Sequence, residues 1–295
     1  MKPTLANWNG QEMPLEDVKV SVMDRAFLLG DAVYEVIRVY SGRPWKLDEH
    51  LDRLKTSLHA IQIENVDVEA IEKRIASTID HSSIEEALVY VQVTRGEAKR
   101  THYFPQQATP NQLIYVEEFA DPYERLRQTG ASVITHPDIR WSKNYIKATS
   151  LLANCLAAQA AVEAGCVEAL LLDSSAHVTE GSHTSVFGVR DGCVLVAPDS
   201  PNVLPGITKR QVLSLARRES IPICEERVSL GRTFNQLDEL FLSGTPEEIL
   251  PVTTVNGKKV FDGKPGPIAT RLQQSFRSSV AAWLQRAEIG SASEA

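Results

Sequence analysis

The sequence predicts a two-domain protein of the α/β (α+β) class, and three patterns carry that expectation. Runs rich in β-branched and aromatic residues at 31–42, 87–96 and 112–121 read as strands. Between the first two lie segments whose apolar residues return every three or four positions, which is helical spacing. A polar passage with Pro and Gly, near residues 119–127, then separates this part from a second alternation of strand and helix. At 295 residues the chain is long enough to bury two cores of ordinary size.

Taken in order, "DAVYEVIRVYSG" (31–42) opens the regular structure, and "DEHLDRLKTSLHAI" and "VEAIEKRIASTID" follow as amphipathic helices. "ALVYVQVTRG" (87–96) and "QLIYVEEFAD" (112–121) are bounded by turn formers and are expected to pair in one sheet. These elements make a small N-terminal α/β domain over 1–120, and Asp121-Pro122 begins a linker over 121–126. A larger α/β domain is expected over 127–288, followed by a frayed tail at 289–295. Its strands are "SVITHP", "EALLLD", "SVFGVRDGCVLVAP", "IPICEERV" and "ELFLSG", and its helices fall at 149–164, 208–220 and 267–286. Within it, "VRDGCVL" carries Asp-Gly at a hairpin turn. No internal repeat is visible.

Composition narrows the function. A formal charge of −7 argues against non-specific nucleic-acid binding, and 43% hydrophobic with 23% charged residues is ordinary for a soluble protein. The segment "MKPTLANWNGQEMPLED" lacks the apolar core of a signal peptide, and no uncharged stretch reaches eighteen residues, so neither a membrane span nor export is expected and the default location is cytoplasmic. Cys155, Cys166, Cys193 and Cys224 show neither CxxC spacing nor neighbouring histidine clusters. They are read as small buried hydrophobes, with no metal site and no disulfide framework.

Chemistry gathers at three places. "WSKNYIKATSLLANCLAAQAAVEAG" (141–165) sets Lys143 and Lys147 at the head of an apolar, alanine-rich helical run; a lysine turned inward and desolvated there becomes a nucleophile. "LPGITKRQVL" (204–213) delivers a Pro-Gly turn into a helix N-terminus, whose unpaired N–H groups suit an anion, while Ser243-Gly244-Thr245 offers hydroxyls and an amide at a strand end. "VTEGSHTSVFGV" (178–189) places Glu180 at the end of a strand, where a carboxylate is able to hold a heteroaromatic nitrogen protonated. Each feature alone also fits an ordinary turn or a solvated charge. A reactive lysine, a phosphate cradle and a carboxylate for a ring nitrogen together are what pyridoxal phosphate requires.

With these motifs the chain resembles the fold-type IV, or class IV, pyridoxal-phosphate-dependent aminotransferases, and within them the D-amino acid group. The resemblance runs through "DRAFLLGDAVYEVIRVYSG", "EHLDRL", "VQVTRGEAKRTHYFP", "IRWSKNYIKATSLLAN", "EAGCVEALLLD", "VTEGS", "LPGIT", "ELFLSGTPEEILPV" and "NGKKVFDGKPGP". It implies a homodimer with shared active sites, each subunit holding pyridoxal 5'-phosphate between a small and a larger domain. The family's Schiff-base lysine falls on Lys147, its pyridine-nitrogen glutamate on Glu180 and its phosphate arginine on Arg53. Further phosphate contacts fall on Ile207, Thr208, Gly244 and Thr245, and Leu204 is expected to pack on the ring face.

The resemblance also implies a ping-pong transamination of a D-amino acid, of D-alanine or D-glutamate type, with a 2-oxo acid acceptor. Strand alternation sends Tyr34, Val36 and Arg38 to one face. The family's carboxylate trap matches Tyr34, Arg100 and His102, with Arg100 reaching the site from the neighbouring subunit. Two departures stand out. Arg38 resembles the branched-chain pattern more than the D-specific one, and would add a cation to the pocket. His183-Thr184-Ser185 follows Glu-Gly-Ser where the family usually has Ser-Asn two residues later. Open alternatives are a branched-chain L-amino acid aminotransferase, an (R)-amine transaminase, an aminodeoxychorismate lyase or, more remotely, a non-catalytic dimeric binding protein.

Overall fold

The structure is a computed structural model that describes residues 4–229 and 234–292, with side chains to residue 286. The chain divides into two compact units, one formed by residues up to Ala120 together with Ile146–Leu151, the other by Asp121–Tyr145 and Leu152 onward.

In the first unit, strands β1 (Leu5–Trp8), β2 (Gln11–Pro14), β3 (Ala32–Tyr40), β4 (Arg43–Pro44), β5 (Ala87–Thr94) and β6 (Gln112–Glu118) form an antiparallel sheet in the order β2-β1-β6-β5-β3-β4. A short helix, α1 (Arg25–Leu29), precedes β3; its N-cap is Asp24, and Gly30 ends it in the left-handed conformation that a side chain would strain. Helices α2 (Leu47–Ala60) and α3 (Val68–Ser82) cover one face. The cause is alternation: Ile37, Val89, Val91, Val93, Ile114 and Val116 are buried and meet a helical stripe of Leu51, Leu54, Leu58, Ile71, Ile75 and Ile79. Each such side chain contributes roughly 2 kcal/mol by leaving water, which is enough in sum to offset the charged residues buried among them. On the other face Tyr34, Tyr90 and Tyr115 stack in a row, with ring centroids 5.7 and 5.0 Å apart. The sheet's N-terminal hairpin and β4 carry no alternation strong enough to have been expected.

The second unit contains α4 (Glu124–Thr129), β7 (Ala131–Pro137), α5 (Leu152–Glu163), β8 (Glu168–Leu172), β9 (Val178–Gly181), β10 (Ser185–Arg190), β11 (Cys193–Val196), α6 (Ile207–Arg218), β12 (Ile223–Glu225), β13 (Glu239–Gly244), β14 (Glu248–Val255), β15 (Lys258–Lys259) and α7 (Pro267–Ala292). Its mixed sheet runs β12-β11-β10-β13-β14-β7-β8-β9, with β15 on β14. The Asp-Gly hairpin forms between β10 and β11, where Arg190 pairs Cys193 and both Asp191 and Gly192 take positive φ. The core is aliphatic, built from Val133, Leu170, Leu195, Leu240, Leu242, Leu250 and Val252 among others.

Several expectations are corrected. The passage expected to be a linker holds α4, whose Leu126, with Tyr123 before it, packs on the core of the second unit. The helix expected from residue 149 starts at Leu152, and it is not simply packed support: Ala157 and Ala161 are buried, while Leu152, Leu156 and Val162 are exposed. The cysteines are not four buried thiols. Cys193 and Cys224 form a disulfide across neighbouring parallel strands β11 and β12, Cys155 is exposed and Cys166 is half-buried. A separation of 31 residues hid that pairing, because only the sheet order makes the two strands adjacent. Of the tail expected to fray, residues up to Ala292 continue α7 and 293–295 lie outside the described residues.

Candidate active site

Lys147 lies in the short segment that returns to the first unit, and the backbone of β3 fixes it. Its carbonyl accepts from the Tyr34 N–H at 3.0 Å, Ala148 bridges Val33, and Thr149 N–H donates to the Ala32 carbonyl. Its own N–H donates to Ser57 Oγ of α2. Pinned on both sides, the side chain lies over Tyr34, with Nζ 4.2 Å from the ring centroid. Lys143, four residues earlier, is exposed and belongs to the second unit. Helical spacing does not relate the two lysines, because no helix joins them.

On the opposite face of β3, Glu35 is fully buried and receives two charged hydrogen bonds from Arg53 of α2, Nε to Oε1 and Nη2 to Oε2, each 2.7 Å. His50 Nδ1 is 2.8 Å from Glu35 Oε2. Burial pushes the Glu35 carboxyl up, but the Arg53 charge and the hydrogen bonds outweigh it and leave the pKa at about 2. His50 is pushed down by burial, which the Glu35 bond only partly opposes. Arg53 is thus a buried, oriented cation rather than a solvated helix residue. Sequence reasoning missed Glu35 and His50, although a signal existed: alternation puts Glu35 on the helix side, and His50 and Arg53 are three apart on one helical face.

In the second unit Glu180 of β9 is 5% exposed. Arg140 Nη1 donates to its Oε1, and the Leu204 N–H donates to its Oε2 at 3.2 Å. Arg140 is itself held by Asp138 at 2.9 and 2.8 Å, and Asp138 accepts from the Thr179 hydroxyl at 2.7 Å. Burial raises the Glu180 pKa above the ordinary carboxylate range despite Arg140. Such a carboxyl is suited to sharing a proton with a basic nitrogen. Asp138 and Arg140 had no distinguishing sequence signal, since an aspartate two residues from an arginine is commonplace on surfaces.

Ile207 and Thr208 form the first turn of α6, whose N-cap is Gly206 and which no side chain caps. A Cβ on Gly206 would come within 2.9 Å of Ser185 Oγ, so a side chain there would oblige Ser185 to shift. Gly244 ends β13 and Thr245 follows in the turn to β14; beside them the buried Ser243 Oγ has no hydrogen-bond partner among the described residues. Within the second unit, uncapped helix N–H groups and a spare hydroxyl are donors of the kind a phosphate takes, and within the first unit Arg53 is an oriented cation, so the residues each unit presents are of the chemistry that pyridoxal 5'-phosphate needs.

The substrate candidates divide. Val36 is half-buried on the Tyr34 face, opposite Tyr90. Arg100 and His102 are exposed on the loop between β5 and β6. That loop is anchored by Arg25, which donates to the Thr101 carbonyl at 2.8 Å, and by Arg95, which lies 3.7 Å from the Phe104 ring centroid. Arg38 corrects an expectation. Its guanidinium is committed to Glu86 and the carbonyls of Val39 and Ala87, and it stacks on Tyr40 and Phe119. It closes the far end of the sheet and is not a second cation beside Tyr34.

Comparison with known proteins identifies the family. Residues 32–255 match the family described as amino-transferase class IV. D-alanine aminotransferase of Staphylococcus aureus (strain MSSA476) is 35% identical over 274 residues, 92% of this chain and 96% of that protein. That of Bacillus licheniformis is 34% identical with the same coverage. Among solved structures, the Escherichia coli branched-chain amino acid aminotransferase superposes with a TM-score of 0.86 at 26% identity, over 94% of each chain. The T.th. branched-chain amino acid aminotransferase with pyridoxamine 5'-phosphate gives 0.85 at 28% identity, over 95% of each. The chain belongs to the class IV aminotransferases, with the fold-type IV architecture, and is a transaminase.

Proposed function

We propose that the chain is a pyridoxal 5'-phosphate-dependent D-amino acid transaminase, acting on D-alanine or D-glutamate with a 2-oxo acid acceptor. The observation that carries this reading is the anchoring of Lys147 on β3 with its amine over Tyr34, in a chain about a third identical to D-alanine aminotransferases. In this reading Arg53, Ile207, Thr208, Gly244 and Thr245 hold the phosphate, Leu204 packs on the ring, and Glu180 keeps the ring nitrogen protonated. When bound, the cofactor supplies the electron sink for the charge left at the substrate α-carbon. Lys147 Nζ would hold the cofactor and, once the incoming amino group has displaced it, would be the free amine that takes up the substrate α-proton, its fixed backbone keeping it in reach. Tyr34, Arg100 and His102 bind the substrate carboxylate, and Val36 lines the pocket.

The reading includes a homodimer in which Arg100 serves the neighbouring site. The exposed leucines of α5 support it, because an apolar helix face of that kind needs a cover. A cytoplasmic location, where amino and 2-oxo acid pools meet, completes it; no described helix is long and apolar enough to cross a membrane.

The test is spectroscopic. Purified protein should be yellow, lose its visible band on borohydride reduction, and convert to the aminated form with D-alanine or D-glutamate. A Lys147→Ala variant that retained a reducible band would remove the lysine assignment. The second reading, a branched-chain L-amino acid aminotransferase, is favoured by the solved structures it superposes on. Reaction with L-leucine and none with D-alanine would establish it in place of the first; an (R)-arylamine completes the panel.

A further inference from the structure

Two turns of the second unit carry residues assigned to the cofactor: the one after Glu180, between β9 and β10, and the one holding Gly244 and Thr245, between β13 and β14. A buried carboxylate lies behind each. Glu168 of β8, 1% exposed, is fully occupied: it accepts from the N–H groups of Ala169 (2.7 Å), Ser182 (3.0 Å) and His183 (3.3 Å) and from the hydroxyls of Ser182 and Thr184. Glu247, 2% exposed, has no cation within hydrogen-bonding geometry of either side-chain oxygen among the described residues, and its nearest polar neighbour besides His183 is the Tyr123 phenol. It is pressed against Gly244 so closely that a Cβ there would lie 1.9 Å from its Oε2. Removing a carboxylate from water without a partner costs several kcal/mol, so Glu247 requires a counter-charge.

His183 is placed to supply it. Its Nδ1 is 2.9 Å from Ser182 Oγ and 3.2 Å from Glu168 Oε2, and its Nε2 is 3.4 Å from Glu247 Oε1. The Ser182 hydroxyl donates its own proton to Glu168, so its oxygen is an acceptor toward the ring. Both ring nitrogens therefore face acceptors, which is the pattern of a doubly protonated imidazolium. The remaining charged and titratable neighbours leave this role open. Tyr123 lies beside Glu247, and burial followed by that carboxylate raises its phenol above the ordinary range. Arg127 of α4 holds the Glu247 and Pro246 carbonyls at 3.0 Å and is engaged with Asp121 and Glu248. Arg127 thus fixes the turn's backbone, and the neutral Tyr123 phenol beside Glu247 brings no positive charge, which leaves His183 as the cation facing that side chain.

We propose that His183 is a positioning residue for the cofactor phosphate: as an imidazolium between Glu168 and Glu247 it ties the turn after Glu180 to the Gly244–Thr245 turn, and the grip on phosphate loosens when the ring loses its proton. The inference rests on the proposed cofactor reading. It is tested by titrating cofactor-free protein with pyridoxal 5'-phosphate and with pyridoxal, which lacks the phosphate, between about pH 6.5 and 8.5. Wild-type affinity for the phosphorylated ligand should fall about tenfold across that range, and affinity for pyridoxal should not follow it. His183→Gln should bind about tenfold more weakly at the lower pH and lose the slope. The double variant His183→Gln/Glu247→Gln, which removes the buried charge as well, should recover wild-type affinity without the pH dependence. Equal slopes in wild type and His183→Gln, in protein whose circular dichroism shows it folded, overturn the proposal. No binding by wild type at any pH overturns the cofactor reading itself.

Discussion

At the scale of single residues, the Glu35–Arg53–His50 cluster shows how much a site depends on groups that never touch a ligand. Arg53 matched a motif, but its geometry comes from Glu35, which is held ionised down to about pH 2. The sign of the linkage follows. A carboxylate whose folded pKa lies below its ordinary value of 4.5 stabilises the fold fully above that value, and the contribution is lost as pH falls from there toward about 2. The titrating part is about 3 kcal/mol. Glu35→Gln should therefore be the less stable protein at neutral pH in urea unfolding, and the gap to wild type should close on acidification below about pH 4.5. Buried His50 adds a separate loss in both proteins below its ordinary 6.5, because its folded pKa is lowered. A gap constant down to pH 3 would mean that Glu35 holds no such charge. Lys147, Glu180 and Arg53 could be nominated as candidates from the sequence because each sits in a recognisable string. Arg38 was misjudged because alternation gives a side chain's face and not its partners, and Glu86 comes from a loop that alternation does not describe.

At the scale of elements, period and turn chemistry located the strands that alternate and the hairpin with Asp-Gly at its tip. They did not locate β14, whose residues are nearly all buried and whose Pro251, paired with Phe241, interrupts the pattern. Nor could they foresee that β11 and β12 lie side by side, which is what joins Cys193 to Cys224. That bond closes a loop of 31 residues, and loop-closure entropy assigns it roughly 4 kcal/mol. Cys193→Ser, or reductant added to wild type, should lower the urea midpoint accordingly, and reductant should leave Cys193→Ser unchanged. If wild type ignores reductant while thiol counting shows the bond broken, the strand pair is held by its backbone ladder alone. Alkylation of thiols at the moment of cell lysis would report which redox state the cytoplasmic proposal has to accommodate, since such bonds are uncommon there.

At the scale of the whole molecule, the chain alone leaves apolar surface that a free monomer would not be expected to show. Leu152 is 75% exposed on α5, Phe27 71% and Tyr103 74%, the last beside the loop residues Arg100 and His102. On α5, Leu152 and Leu156 are exposed four residues apart on one helical face, and an apolar face of that kind suits an interface. A dimer that covers them also suits the exposure of Arg100, which in the proposed reading serves the site of the neighbouring subunit. Assembly and catalysis then become one equilibrium, since a dissociated chain keeps Lys147 and Tyr34 but lacks the partner's arginine. Leu152→Glu/Leu156→Glu should shift the protein from dimer to monomer in size-exclusion chromatography with light scattering. Specific activity should fall on dilution more steeply than in wild type, while the visible band of bound cofactor persists at concentrations where turnover is lost. A monomeric variant with full specific activity would show that each chain is a complete enzyme and that Arg100 serves some other purpose.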